Sequence, residues 1–266
     1  IIQTANQSRL PIISIDIPSG LNGETGIAEG PAIIATETAF LGLPKRGFFL
    51  NDGWNHTGKL RYVDFGMDKE FIESVQSDTE MMDEDFIEPL LPRIVRSRHK
   101  YQAGYVVGLA GSPGMPGAAL LSTSAAMRSG AGIVRLFYPE GMRNELVTAP
   151  YELICTAYQP NNFQEMLTQM NRASAVFIGP GLGQSEEVKT LLRYILPLIS
   201  KPCVIDADAL NILATEEITL PSQTILTPHH GEMMRLLGSS EKPVLNPDFI
   251  KKCLDYATRK KVTLVL

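Results

Sequence analysis

"GYVVGLAGSPGMPGAALLSTSAAMRSG", residues 104–130, is the stretch that decides how this chain folds. Its first eight residues are apolar and rich in valine and glycine, the pattern of a strand buried on both faces. A glycine- and proline-rich turn follows, and then an alanine-rich run over 117–130 reads as a helix. The same alternation continues downstream. "GIVRLFY" (132–138) reads as strand, "FQEMLTQMN" (163–171) as helix, "SAVFIGPG" (174–181) as strand and turn, and "SEEVKTLLRYILPLI" (185–199) as helix. "PCVIDADALNIL" (202–213) and "QTILTPHHGEMMRLLG" (223–238) each run from strand into helix, and residues 246–266 run from helix into strand. Strands and helices alternating at these lengths predict an α/β fold with a parallel sheet and helices on both faces.

Upstream, "LPIISIDIPSG" (10–20), "AIIATETAFLGLP" (32–44) and "GKLRYVDFGM" (58–67) read as three more strands, the first delivering Asp16 into a turn. Residues 68–98 are charged and contain two prolines, which makes them the best linker, with a domain boundary expected near residue 80. Two domains are therefore expected, over 1–80 and 81–266. The 266 residues are 44% hydrophobic and 20% charged, ordinary values for a chain with a buried core. A net charge of −5 gives no electrostatic reason to expect nucleic acid or an anionic membrane as partner. No apolar stretch reaches the roughly 18 residues of a transmembrane helix. Three dispersed cysteines, with no CxxC, favour a reducing cytoplasmic setting and argue against a zinc cluster. The chain opens without an initiator methionine and closes on the apolar run "KKVTLVL", so a fragment of something longer is expected.

Ligands of such sheets bind at the carboxyl ends of the strands, and four turns there are chemically distinctive. In "GLAGSPGMPGAA", Gly108, Gly111, Gly114 and Gly117 stand three apart. They permit either close approach of backbone to a ligand, with the helix N-terminus offering N–H groups to an anion, or simply a tight strand-to-helix turn. "IGPGLG" (178–183) carries the same two readings. In "VIDADALN", Asp206 and Asp208 suit either Mg²⁺ or the capping of the next helix. "TPHHGE" places His229 and His230 side by side. Metal-binding histidines on helices stand three or four apart, whereas neighbours in an extended segment point to opposite sides. That spacing argues against a zinc pair; one ring is expected to face the rim and the other solvent or packing, with Glu232 in the first helical turn near the positive end of the dipole.

Taken in order, "HKYQAG" (99–104), "AGSPGMPGAAL", "AAMRSGAGIVRL", "IGPGLG", "VIDADALN" and "LTPHHGEMMRL" resemble the ADP/ATP-dependent NAD(P)H-hydrate dehydratases over roughly residues 83–266. The N-terminal "SIDIPSGLNGETG" (14–26), "TAFLGLPKRGFF" (38–49) and "GKLRYVDFGM" resemble the C-terminal part of an NAD(P)H-hydrate epimerase domain, which many bacteria fuse ahead of the dehydratase. The resemblance implies a Rossmann-like partial domain followed by a ribokinase-like α/β/α domain. It implies repair of hydrated NADH and NADPH: one domain interconverts the two epimers, and the other phosphorylates the ring hydroxyl of the S form and eliminates phosphate. ADP or ATP, Mg²⁺ and K⁺ are the implied cofactors.

By the same resemblance, Asp16 contacts the hydrate ring in the epimerase, in acid/base or orienting work, and Ser19 ligates potassium. Gly117, Ala118, Ala119, Gly181, Gly183 and His229 contact the substrate in the dehydratase, the glycines suiting its pyrophosphate and sugars. Relatives usually carry proline at position 230, so His230 departs from the pattern and is read as non-catalytic. Lys45, in "LPKRG", receives no chemical role. The family's lysine-glycine nucleotide loop and its GTGD-type motif, which holds the catalytic base, do not occur within the 266 residues; impaired activity of this piece alone is expected, along with a homo-oligomeric parent. The rival readings are a vitamin-precursor kinase of the ribokinase-like group and a non-catalytic binding protein on the same fold.

Overall fold

The computed structural model describes residues 1–74, 79–159, 163–240 and 245–266. It contains two compact units. One comprises Ile1–Ile94 with Val244–Ile250, and the other Val95–Pro243 with Lys251–Leu266.

In the first unit, helix α1 (Ile2–Gln7) precedes strands β1 (Ile13–Ile15), β2 (Glu37–Leu41) and β3 (Lys59–Val63), which form a parallel sheet in the order β1-β2-β3. Short helices α2 (Gly53–His56), α3 (Lys69–Ser74) and α4 (Glu84–Ile87) follow, the last two inside the charged stretch read as linker. A small core of Leu21, Phe40 and Phe48 holds the unit together, with Phe48 fully buried.

The second unit is built on seven parallel strands: β4 (Tyr105–Leu109), β5 (Ile133–Pro139), β6 (Ile154–Tyr158), β7 (Ala175–Ile178), β8 (Cys203–Ile205), β9 (Thr224–Leu226) and β10 (Thr263–Leu264). Helices α5 (Pro116–Arg128), α6 (Gln164–Arg172), α7 (Glu186–Ile195), α8 (Asp208–Leu213), α9 (His230–Leu236) and α10 (Pro247–Lys260) connect them. Six of the seven strands coincide with runs read from the sequence. Strand β6 was not expected: it pairs only with β5, at the sheet edge, and of its residues only Tyr158 is buried. Its sequence, "ICTAY", is nonetheless a short, largely apolar run, so the strand signal is present in the sequence.

The strand order β10-β9-β8-β7-β4-β5-β6 places the site. The chain winds outward from β4 through β5 to β6, returns to lie beside β4 as β7, and then winds outward the other way. Reversal of winding requires helices on both faces and opens a crevice between the carboxyl ends of β4 and β7. Those two strands are apolar, with Val107, Leu109, Val176 and Ile178 essentially without solvent contact. Gly108 lies opposite Phe177 in the register, and a Cβ at 108 would fall 2.1 Å from the tip of that ring. This glycine makes room for an aromatic side chain inside the sheet, so it does not belong to the rim. Among the described residues no helix is long and apolar enough to cross a membrane.

Candidate active site

Two glycine loops leave β4 and β7 at the crevice and are joined to each other. The N–H of Gly111 donates to the carbonyl of Pro180 at 2.9 Å, and the Ser112 hydroxyl donates to the carbonyl of Gly181 at 2.8 Å. Gly111 and Gly181 both lie in the left-handed region, at φ 84° and 63°. A methyl group on Gly181 would sit 2.8 Å from the Ala118 Cβ, so the second loop packs directly on the start of α5.

The three consecutive residues singled out at that helix start differ in what they offer. Pro116 opens α5 and has no N–H. Gly117 and Ala118 then carry helical N–H groups without intrahelical acceptors, whereas the N–H of Ala119 is the first to enter the ladder. Gly117 faces open space, with nothing within 4 Å of an added Cβ. Ala119 is fully buried, and its methyl belongs to the core with Leu136 and Met142. The helix-start N–H groups left outside the ladder are therefore those of Gly117 and Ala118.

Each loop is also held by a carboxylate that the sequence reading did not assign. The N–H of Gly114 donates to both carboxylate oxygens of Glu145, at 3.2 and 3.0 Å. The N–H of Gly183 donates to Asp208 Oδ2 at 2.9 Å, and the Gln184 amide donates to Asp208 Oδ1 at 3.0 Å. Asp208 was weighed as a helix cap or a metal ligand. It is instead the first residue of α8, after Ala207 at φ 52°, and both its oxygens are given to the loop of β7. Among the described residues no group of three or more His, Cys, Asp or Glu side chains forms a metal site. The Gly183 N–H is thus already engaged with an anion, which makes this loop a poor seat for a pyrophosphate. Nothing in its spacing announced the Asp208 contact, because 25 residues and a helix separate the partners.

The two histidines also resolve differently from the extended-segment picture. His229 is the N-cap of α9, and His230 is the first helical residue; both are exposed. His229 Nδ1 accepts from the N–H groups of Gly231 at 3.0 Å and Glu232 at 3.4 Å. In return the buried Glu232 accepts the His229 N–H through Oε2 at 2.9 Å. This is a reciprocal capping box with imidazole in place of the usual hydroxyl. Because Nδ1 must present its lone pair, the ring carries its hydrogen on Nε2, 3.6 Å from Glu232 Oε1. The His-x-x-Glu spacing was the readable signal: a capping box sets its acidic partner three residues after the cap.

In the first unit, Asp16 follows β1 at φ 64°, a left-handed conformation that aspartate tolerates better than most residues. Its Oδ1 accepts the Leu41 N–H at 3.2 Å and ion-pairs with Lys45 Nζ. The Lys45 ammonium, opposed by partial burial, holds the Asp16 carboxyl below the usual carboxylate range. Lys45 therefore has a definite contact, which the sequence did not suggest. Ser19 lies exposed in the same turn, its carbonyl accepting the Ile33 N–H.

The comparisons with known proteins agree with this architecture. The family described as NAD(P)H-hydrate dehydratase matches residues 106–266, and the family described as YjeF-related protein N-terminus matches residues 1–47. The bifunctional NAD(P)H-hydrate repair enzyme Nnr of Moorella thermoacetica is 32% identical over 100% of the chain and 52% of its own length. The chain spans about half the length of the curated relatives it matches. Among solved structures, the ADP/ATP-dependent NAD(P)H-hydrate dehydratase of Bacillus subtilis, co-crystallized with ATP/Mg²⁺, is 29% identical with a TM-score of 0.53, covering 69% of this chain and 65% of that one. A ribokinase-like superfamily protein of Enterococcus faecalis V583, 21% identical with a TM-score of 0.60 over 72% of this chain and 68% of that one, shares the fold. The second unit is thus ribokinase-like, and the chain belongs to the NAD(P)H-hydrate dehydratase family.

Proposed function

We propose that the protein repairs hydrated NADH and NADPH, combining an epimerase in the region of residues 1–80 with a nucleotide-dependent dehydratase over residues 81–266. The observation that carries this reading is the occurrence of both family matches in one chain that aligns over its whole length with a bifunctional relative. The glycine-lined crevice at the switch point of the sheet supports it physically, since dinucleotides bind where backbone approaches closely and free N–H groups meet phosphate. In this reading the pyrophosphate lies toward Gly117 and Ala118. The loop of Gly181 and Gly183 faces an uncharged part of the substrate, and the exposed Nε2–H of His229 is a donor to a phosphate or ribose oxygen.

The co-reactant would be ADP or ATP, which supplies the phosphoryl group that leaves with the ring hydroxyl. The described residues form no cage for a divalent ion, so Mg²⁺ fits here as a partner of nucleotide phosphates. In the epimerase region, Asp16 is an ionised carboxylate able to accept a proton or orient the hydrate ring, and Ser19 is the residue we assign to potassium. A homo-oligomer is part of the proposal, and a cytoplasmic setting fits the three free thiols.

The test offers NADH hydrate with ADP or ATP to the full-length parent protein, because impaired activity of residues 1–266 alone is expected, and follows the return of dihydronicotinamide absorbance. No recovery with either nucleotide, together with phosphorylation of a thiazole or pyrimidine alcohol, would establish the vitamin-precursor kinase reading, which the shared ribokinase-like fold keeps in view.

A further inference from the structure

We propose that Asp208 is the positioning residue of the dehydratase crevice: it holds the 179–184 loop in its ligand-receiving shape. The inference rests on the dinucleotide reading of that crevice. Three observations place Asp208 in this role. Its two oxygens take different donors from the loop, the backbone of Gly183 and the side chain of Gln184, so the carboxylate fixes the loop at consecutive residues. The backbone is arranged to deliver it: Ala207 adopts φ 52°, ψ −119°, which turns Asp208 toward the loop instead of back over its own helix. And the loop needs an external tether, because Gly179, Gly181 and Gly183 all lie at positive φ, at 125°, 63° and 78°. Glycines lose the most conformational freedom on ordering. The neighbouring Gly179 lies directly against the same segment, since a Cβ there would fall 1.9 Å from the Asp206 carbonyl oxygen. Residues 206–208 therefore meet the loop at both ends, by close backbone approach at Gly179 and by the Asp208 carboxylate at Gly183 and Gln184.

The carboxylate also has a consequence for orientation. Because Asp208 occupies the Gly183 N–H, a dinucleotide cannot place its pyrophosphate at that donor without displacing one anion by another. That leaves the α5 start for the pyrophosphate.

The test compares the wild-type chain with Asp208→Ala and Asp208→Asn. Asparagine keeps the size and one acceptor for Gly183, and its amide can meet the Gln184 carbonyl after a flip. Far-UV circular dichroism confirms folding, and Asp208→Asn keeps the comparison usable if the alanine variant unfolds. Amide exchange of Gly183 is measured without ligand, and NADPH affinity by titration. Asp208→Ala is expected to accelerate Gly183 exchange and to weaken NADPH binding, each by about 10-fold or more, as loss of hydrogen bonds to a charged group implies. Asp208→Asn, which exchanges a charged acceptor for a neutral one, is expected to fall between wild type and Asp208→Ala in both. Unchanged Gly183 exchange in Asp208→Ala would overturn the inference alone, and so would faster exchange with unaltered NADPH affinity. A wild-type chain that binds neither NADPH nor its hydrate, while Gly183 exchange still depends on Asp208, would instead refute the dinucleotide reading and with it the affinity half of this inference.

Discussion

Replacing His229 separates two jobs that one imidazole performs in this structure. In His229→Ala the N–H groups of Gly231 and Glu232 lose their acceptor, Nδ1. The Glu232 carboxylate keeps its own bond, because that bond is made to the backbone of residue 229. The ring is 67% exposed, so almost no packing is lost with it. The cost is therefore that of an N-cap, about 1 kcal/mol within a range of about 0.5–2 kcal/mol. That corresponds to roughly a 5-fold increase in opening of the first turn of α9. His229→Asn restores a good capping acceptor and should recover stability to within a few tenths of a kcal/mol. His230→Ala, at the exposed first helical position, should change stability by less than about 0.5 kcal/mol. Urea unfolding followed by far-UV circular dichroism measures the global effect, and amide exchange at Gly231 and Glu232 measures the local one. If His229→Ala leaves both unchanged, or if asparagine is as damaging as alanine, the cap is not what the geometry says it is. Hydrate turnover, measured in the full-length parent protein, then reads the second job. Loss in both His229→Ala and His229→Asn, with His230→Ala near wild type, assigns substrate contact to the imidazole. Full activity in His229→Asn would reduce His229 to a helix cap.

Gly117→Ala should fold and gain up to about 1 kcal/mol, since the site is open and alanine is the better helix former. The same methyl at an anion-facing N–H should weaken NADPH binding, which calorimetry checks; unchanged affinity would move the pyrophosphate elsewhere. Gly179→Ala should fail to accumulate as folded protein, because its Cβ would meet the Asp206 carbonyl oxygen at 1.9 Å from a backbone at φ 125°. Soluble expression with a normal unfolding transition would contradict that packing. Lys45→Met should raise the Asp16 titration midpoint toward the ordinary carboxylate value, as followed by carboxyl carbon shifts in nuclear magnetic resonance. The sign follows from linkage: a depressed folded-state pKa contributes stability above the unfolded value, and that contribution is lost as pH falls through the folded one. Lys45→Met should therefore flatten the acid limb of the stability profile, and an identical limb would show the pair to be energetically silent. Cys203, whose thiol burial pushes up to about 12, should react with a thiol reagent only as the protein unfolds.

Much of the second unit was legible because its strands are covered on both faces. Continuous apolar runs such as "YVVGL" and "AVFI" need no neighbours to be recognised as parallel strands, and glycine-rich ends mark where each turns into a helix. Strand β6 is absent from the strands expected although "ICTAY" is largely apolar; it lies at the sheet edge, with one buried residue in five. Glycine spacing was a poorer guide. Gly108, Gly111, Gly114 and Gly117 look equivalent at intervals of three, yet Gly108 yields space to Phe177, Gly111 lies against Met142, and only Gly114 and Gly117 open outward. A missing Cβ is compatible with a packed ring, a strained turn or a ligand, and sequence shows the absence without the cause.

By itself, then, the sequence determined the alternation of strands and helices, the parallel sheet, the family and the identity of the turns at its carboxyl edge. Each follows from patterns that extend over a few neighbouring residues. Only the tertiary structure decided that β4 and β7 lie side by side, that Asp208 and Glu145 tether the two glycine loops, and that Lys45 meets Asp16. The side-chain contacts among these join residues 25 to 31 positions apart. A side chain at that separation gives no local sign of its partner, because the contact depends on how the intervening chain folds back.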